Sequence, residues 1–191
     1  MDGIDLQVSQ AVFIQQLEYG QLGESKIARW LRGRGWNVLP VYEKEIDDGK
    51  GPRLFMANSN EKEQLIAPDL LAMRGMEFRW IEAKHKSHFS WYGIGRYWVT
   101  GINLLHYLDY LKIRNGTELP IWLMFLHSDN RTWKNDVEKW DAPILCPTGL
   151  FGNDLSKLIN LESHRSDKYG TTGMVYWRES NLIKLAELSA L

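Results

Sequence analysis

Residues 120–128, PIWLMFLHS, form an unbroken apolar run closed by Pro120 and Ser128, and this run narrows the choice of fold more than any other segment. A strand with one wet face alternates apolar and polar residues, whereas a strand without alternation is buried on both faces. Such a strand needs covering layers on both sides. With the helical patterns described next, it predicts an α/β fold in which helices flank a mixed central sheet.

The segment 22–34, LGESKIARWLRGR, places Ile27, Ala28, Trp30 and Leu31 on one helical face, and Gly33 and Gly35 bracket its end. Residues 12–19 read as a short leading helix. Residues 36–43, WNVLPVYE, read as a strand in which Pro40 signals an edge or a bulge. The stretch 44–64 is polar, with Asp47-Asp48-Gly49 and Gly51-Pro52, and reads as a long loop or a hairpin carried on one. IAPDLLAM (66–73), the turn Arg74-Gly75 and FRWIEAKHK (78–86) read as a β-hairpin. Over 99–113, Ile102, Leu105, Tyr107, Leu108 and Leu111 recur at helical spacing, with Thr100 as the start. The tail offers a polar connection, a strand at 173–178 and a helix at 181–188. The link from the hairpin through the 99–113 helix to the strand at 120–128 is a crossover, for which the right hand is the rule.

A chain of 191 residues suits one domain, 1–191, better than two. Lys and Arg number 23 against 24 acids, a net charge of −1, so bulk electrostatics does not draw the chain to nucleic acid. Any such contact needs a local basic patch. Cys146 is the only cysteine, which excludes an intrachain disulfide and suits a reducing compartment. The start, MDGIDLQVSQ, shows no signal-peptide pattern, and no run of about 18 apolar residues provides a membrane span. The expected location is cytoplasmic, with no membrane partner. Most of the nine tryptophans are core filling; Trp91 and Trp98 are candidates for stacking on bases.

Chemistry concentrates at Pro68-Asp69 and Glu82-Ala83-Lys84. Strand residues two apart share a face, so Glu82 and Lys84 project together while Ala83 points into the core. The hairpin brings Asp69 beside them. All three charges interrupt apolar strands, and charges so placed pair or bind a metal. Two facing carboxylates repel, and a hard divalent cation such as Mg²⁺ resolves the conflict, with the Ala83 carbonyl as a further oxygen ligand. Lys84 is then free to orient or deprotonate a water or to neutralise charge on a reacting phosphoryl group. The expected reaction is metal-assisted hydrolysis of a phosphodiester. An E-x-K triplet alone is common on surface hairpins; the Pro-Asp on the preceding strand is what sharpens the signal.

This arrangement resembles the PD-(D/E)xK nuclease superfamily, which includes restriction endonucleases and archaeal-type Holliday junction resolvases. The resemblance covers about 20–128 and leaves 129–191 as a C-terminal extension. It implies a restriction-endonuclease-like core in the order α-β-β-β-α-β. It also implies an endonuclease acting on DNA, with Mg²⁺ as cofactor, Mn²⁺ as a substitute, and a homodimer as a common assembly. Glu24, in Gly23-Glu24-Ser25-Lys26-Ile27-Ala28, matches the helix glutamate that joins the metal site in many members. The implied catalytic set is Asp69, Glu82, Lys84 and Glu24, and the implied metal set Asp69, Glu82, Ala83 and Glu24. Where members place Gln or Lys on the following helix, this chain offers Asn103, His106 and Lys112.

Lys86, His88, Arg96 and Trp91 are candidate nucleic-acid contacts: Lys86 and His88 extend the site face, and WYGIGRYW mixes aromatics, glycines and an arginine. His85 points opposite to Lys84, towards the core. His127 reads as structural and His164 as a loop residue near substrate. Gly93-Ile94-Gly95 lacks the spacing of a dinucleotide-binding loop, and the histidines are too scattered for zinc. Two other functions fit the same chain: a catalytically silent nucleic-acid-binding module of the same fold, or a partner-binding α/β domain whose three charges face different ways.

Overall fold

A computed structural model describes residues 20–41, 53–57, 64–170 and 172–191. The expected leading helix at 12–19 lies outside the described residues. Helix α1 covers 20–32 and leads through a turn into β1, Asn37–Pro40. Of the expected loop, Arg53–Phe55 (β2) pairs with Gln64–Ile66 (β3) as a separate two-stranded sheet. The hairpin follows as β4, Leu70–Arg74, and β5, Glu77–Lys86, so Asp69 stands one residue ahead of its strand.

Residues expected to start a helix at 99 instead extend a second hairpin: β6, Ser90–Tyr92, and β7, Tyr97–Asn103. Val99, Thr100 and Ile102 are β-branched and prefer the pleated sheet. Gly101 lets the neighbouring strand close in, since a Cβ there would lie 2.1 Å from the Val175 carbonyl oxygen. Helix α2, Leu104–Thr117, begins only after Asn103, whose side-chain oxygen accepts the Leu105 N–H at 2.9 Å. The apolar run is β8, Ile121–His127.

The tail holds more than a polar connection. It carries α3 (Lys134–Trp140), β9 (Gly149–Asp154), the short α4 (Leu155–Leu158), β10 (Glu162–Ser166) and β11 (Met174–Arg178). The segment expected as a helix at 181–188 is β12, Ile183–Ala186, flanked by single 3₁₀ turns. It pairs antiparallel with β9 and covers that strand's open edge, a gain that outweighs its helical spacing.

The central sheet has the order β1-β4-β5-β8-β9-β12; β5 and β8 are parallel and the other pairs antiparallel. Helix α1, β1, β4, β5, α2 and β8 follow one another in the expected α-β-β-β-α-β sense, with β2–β3 and β6–β7 inserted. Pro40 sits on the edge strand, where its missing N–H does no harm. Side chains of β8 alternate between two cores. Ile121, Leu123 and Phe125 join Tyr107, Tyr110 and Ile113 of α2 and Ile102, Val175 and Trp177 of the second sheet. Met124 and Leu126 join Ile27 and Leu31 of α1. That second sheet has the order β10-β11-β7-β6. No helix among the described residues is long and apolar enough to cross a membrane.

Candidate active site

Glu82 lies in the middle of β5, beside Leu123 of β8, on the sheet face that α2 covers, and only 1% of it is exposed. An ionised carboxylate at that depth costs several kcal/mol unless it is paired and hydrogen-bonded. Both conditions are met. The Lys84 Nζ stands 2.5 Å from Glu82 Oε1, and the Tyr110 hydroxyl of α2 donates to Glu82 Oε2 at 2.5 Å. Lys84, two residues along the same strand, also reaches to 3.8 Å from Asp69 Oδ2.

Asp69 is fixed at both ends. Its carbonyl accepts the Val41 N–H at 2.9 Å beyond the end of β1, and its Oδ2 accepts the Ala83 N–H at 2.8 Å. A strand residue's N–H and C=O leave on the same edge, so the Ala83 carbonyl opens towards Asp69 too. Glu24 comes from α1 on the opposite layer. The helix approaches β5 closely at Gly23, where a Cβ would lie 2.2 Å from the His85 Cβ, and Glu24 is the next residue. His85 therefore faces α1, away from Lys84.

The electrostatics reflects crowding of like charge. Burial, then the neighbouring Glu82, raises the Asp69 pKa from 3.8 to about 7, against the pull of Lys84 and the Ala83 N–H. Burial, then Asp69, raises Glu24 from 4.5 to about 7. Burial works to lower the Lys84 pKa, but Glu82 and Asp69 together outweigh it and hold the group as an ammonium. On the same strand face, burial and then the Lys84 charge lower Lys86 to about 8. His106 of α2 stands 3.4 Å from the Tyr110 hydroxyl through Nδ1; burial and Lys84 lower its pKa to about 4, so it is neutral at pH 7.

Asp69, Glu82 and Lys84 thus converge, Glu24 feels the charges of Asp69 and Lys84 from α1, and Lys86 and His106 stand at the margin. The other expected contacts are engaged elsewhere. Arg96, at the turn between β6 and β7, pairs with Asp141 at 3.3 Å. Trp91 packs edge-to-face on Trp98, ring centres 4.8 Å apart, and His88 lies 5.4 Å from Trp133. His164 is a strand residue of β10, stacked on Tyr92 and Tyr176, rather than a loop residue. His127 is fully buried and stacked on Phe89 at 3.7 Å. Tyr110 escaped the sequence reading, though a tyrosine on a buried helix face demands a partner for its hydroxyl. Asp109 beside it caps the β3 end by accepting the Ile66 N–H at 3.0 Å. A cleft of about 370 Å³ at the far end of α2, lined by Arg114, Glu118 and Asp154, contains none of the site residues.

Among the described residues, no three His, Cys, Asp or Glu side chains stand close enough together to hold an ion. The donor chemistry nevertheless fits a hard divalent cation. Asp69, Glu82 and the Ala83 carbonyl offer oxygen donors only, Glu24 adds a third carboxylate from α1, and one ammonium offsets only part of the charge.

No protein-family model and no curated protein matches the sequence. Among solved structures, the chain is similar to Archaeoglobus fulgidus Hjc, a Holliday junction resolvase from an archaeal hyperthermophile. Identity is 10% and the TM-score 0.46, over 85% of this chain and 90% of that chain.

Proposed function

We propose that the chain is a divalent-metal-dependent nuclease that hydrolyses phosphodiester bonds in nucleic acid, DNA foremost. The supporting observation is the convergence of Glu82 and Lys84 of β5 with Asp69, just ahead of β4, inside an apolar sheet. A structural core gains nothing from three such charges, because a buried pair is at best neutral against well-packed apolar residues. A phosphodiester, by contrast, needs hard-cation ligands and a cationic donor side by side.

Asp69, Glu82, Glu24 and the Ala83 carbonyl would hold the cation, Mg²⁺ or Mn²⁺. When bound, it supplies Lewis acidity towards a phosphoryl oxygen and makes a water more acidic. The chain's own groups do the rest. The Tyr110 hydroxyl and Lys84 fix the Glu82 carboxylate, and the Ala83 N–H fixes Asp69, so the ligands are held in place before substrate arrives. Lys84 is an ammonium in this arrangement; its role is to donate hydrogen bonds to the phosphoryl oxygen that gains charge, in preference to acting as a base. Lys86, next on the same face, neutralises an adjoining phosphate.

One observation favours the silent binding module: Lys84 already neutralises Glu82, so that carboxylate is paired without a cation. Incubation with linear, circular and branched DNAs in Mg²⁺ or Mn²⁺ separates the two, with Glu82→Gln alongside and folding checked by circular dichroism. Cleavage that EDTA and the substitution both abolish supports the nuclease. Absence of cleavage, together with no heat of metal binding in calorimetry, leaves the module.

A further inference from the structure

Between α1 and the edge strand β1 runs a groove of about 240 Å³ that begins at Glu24. Arg29 and Arg32 form its helical wall, and Val38, Pro40 and Leu70 form an apolar floor. Both guanidiniums are exposed, and among the described residues neither has an acidic partner. They stand three apart on the helix and so share a side of it. Over residues 20–41 the chain carries Lys26, Arg29, Arg32 and Arg34 against a single acid, Glu24, although the whole chain is at −1.

We propose that this groove holds the phosphodiester backbone flanking the scissile bond, with Arg29 and Arg32 each clasping a phosphate. This deepens the nuclease reading and rests on it. At about 1.5 Å per residue, Arg29 and Arg32 lie roughly 7.5 and 12 Å along the helix axis from Glu24. That corresponds to some two to four nucleotides from the cut at the ~3.4 Å spacing of one duplex strand. A guanidinium fork matches two phosphoryl oxygens, and the apolar floor complements the sugar. The groove supplies the basic patch that the near-neutral composition required somewhere local, and Glu24 stands at its mouth.

The test is fluorescence anisotropy of labelled duplex DNA, single-stranded DNA and RNA with the full chain in EDTA, so that binding is read without cleavage. Salt is raised from about 50 to 200 mM, and each lost phosphate contact lowers the log–log slope by about 0.9 on duplex. The Arg29→Gln/Arg32→Gln protein should bind its preferred strand more weakly, with a slope on duplex smaller by about 1.8. Arg178→Gln, at an exposed position on the second sheet, should match wild type. An unchanged slope in the double variant overturns the proposal, as does a wild-type protein that binds none of the three. Cleavage by wild type with Mg²⁺ and undiminished binding by the double variant would sink the groove alone. Slope loss without any cleavage would sink the nuclease reading alone.

Discussion

Replacing Asp69 by Asn removes one negative charge and keeps an oxygen for the Ala83 N–H to donate to. The pKa of Asp69 rises from 3.8 to about 7 in the folded chain. A carboxyl with a higher pKa folded than unfolded is a burden once ionised: stability falls as pH climbs from about 4 to about 7, then levels off. At about 1.36 kcal/mol per pH unit, ionising Asp69 costs the fold roughly 4 kcal/mol at pH 8 and under about 2 at pH 5. Asn mimics the protonated form, so Asp69→Asn should stabilise the metal-free protein by up to about 4 kcal/mol at pH 8, and by less at pH 5. Urea unfolding in EDTA at the two pH values measures both. Mg²⁺ then supplies the contrast: at a hundredfold excess over its dissociation constant it should stabilise wild type by about 2.7 kcal/mol and the variant far less. If Asp69→Asn is destabilising at pH 8 in EDTA, or if Mg²⁺ raises both proteins equally, Asp69 is not part of a strained cation pocket.

Lys84→Met strands Glu82 in the core with only Tyr110 beside it; urea unfolding should show a loss of about 3 kcal/mol, and adding Glu82→Gln should restore most of it. Tyr110→Phe removes a hydrogen bond to a buried carboxylate, for a loss of about 1–3 kcal/mol, and should lower cleavage more than substrate binding, as single-turnover assays would show. Gly23→Ala drives a methyl group into His85, and thermal unfolding should report a loss of about 1–3 kcal/mol with impaired cleavage, because Glu24 moves with α1.

The catalytic candidates were legible because their signal is local. Glu82 and Lys84 share a strand, and the short turn after β4 dictates where Asp69 comes to rest. The strand at 121–127 was legible from its missing alternation. Periodicity failed where tertiary pairing decided the outcome. Leu105 and Leu108 carried a helical rhythm back over 99–103, but β11 was waiting to pair with those residues. NLIKLAEL likewise reads as a helix until β9 offers an edge. Arg96 and Trp91 looked available because sequence does not show that Asp141 and Trp98 claim them. Tyr110 went unseen for a related reason: its role lies in a contact with Glu82, 28 residues away.

The strands contributed by residues beyond 128 change how the chain can be cut down. β9 and β12 finish the central sheet, and β11 lies against β7, the strand that leads directly into α2. A fragment ending after β8 would keep Glu24, Asp69, Glu82 and Lys84, yet expose β8 along its length and free the base of the helix that carries Tyr110. Such a fragment should aggregate or lose the packing around Glu82, since the part that looks like an appendage serves as a buttress.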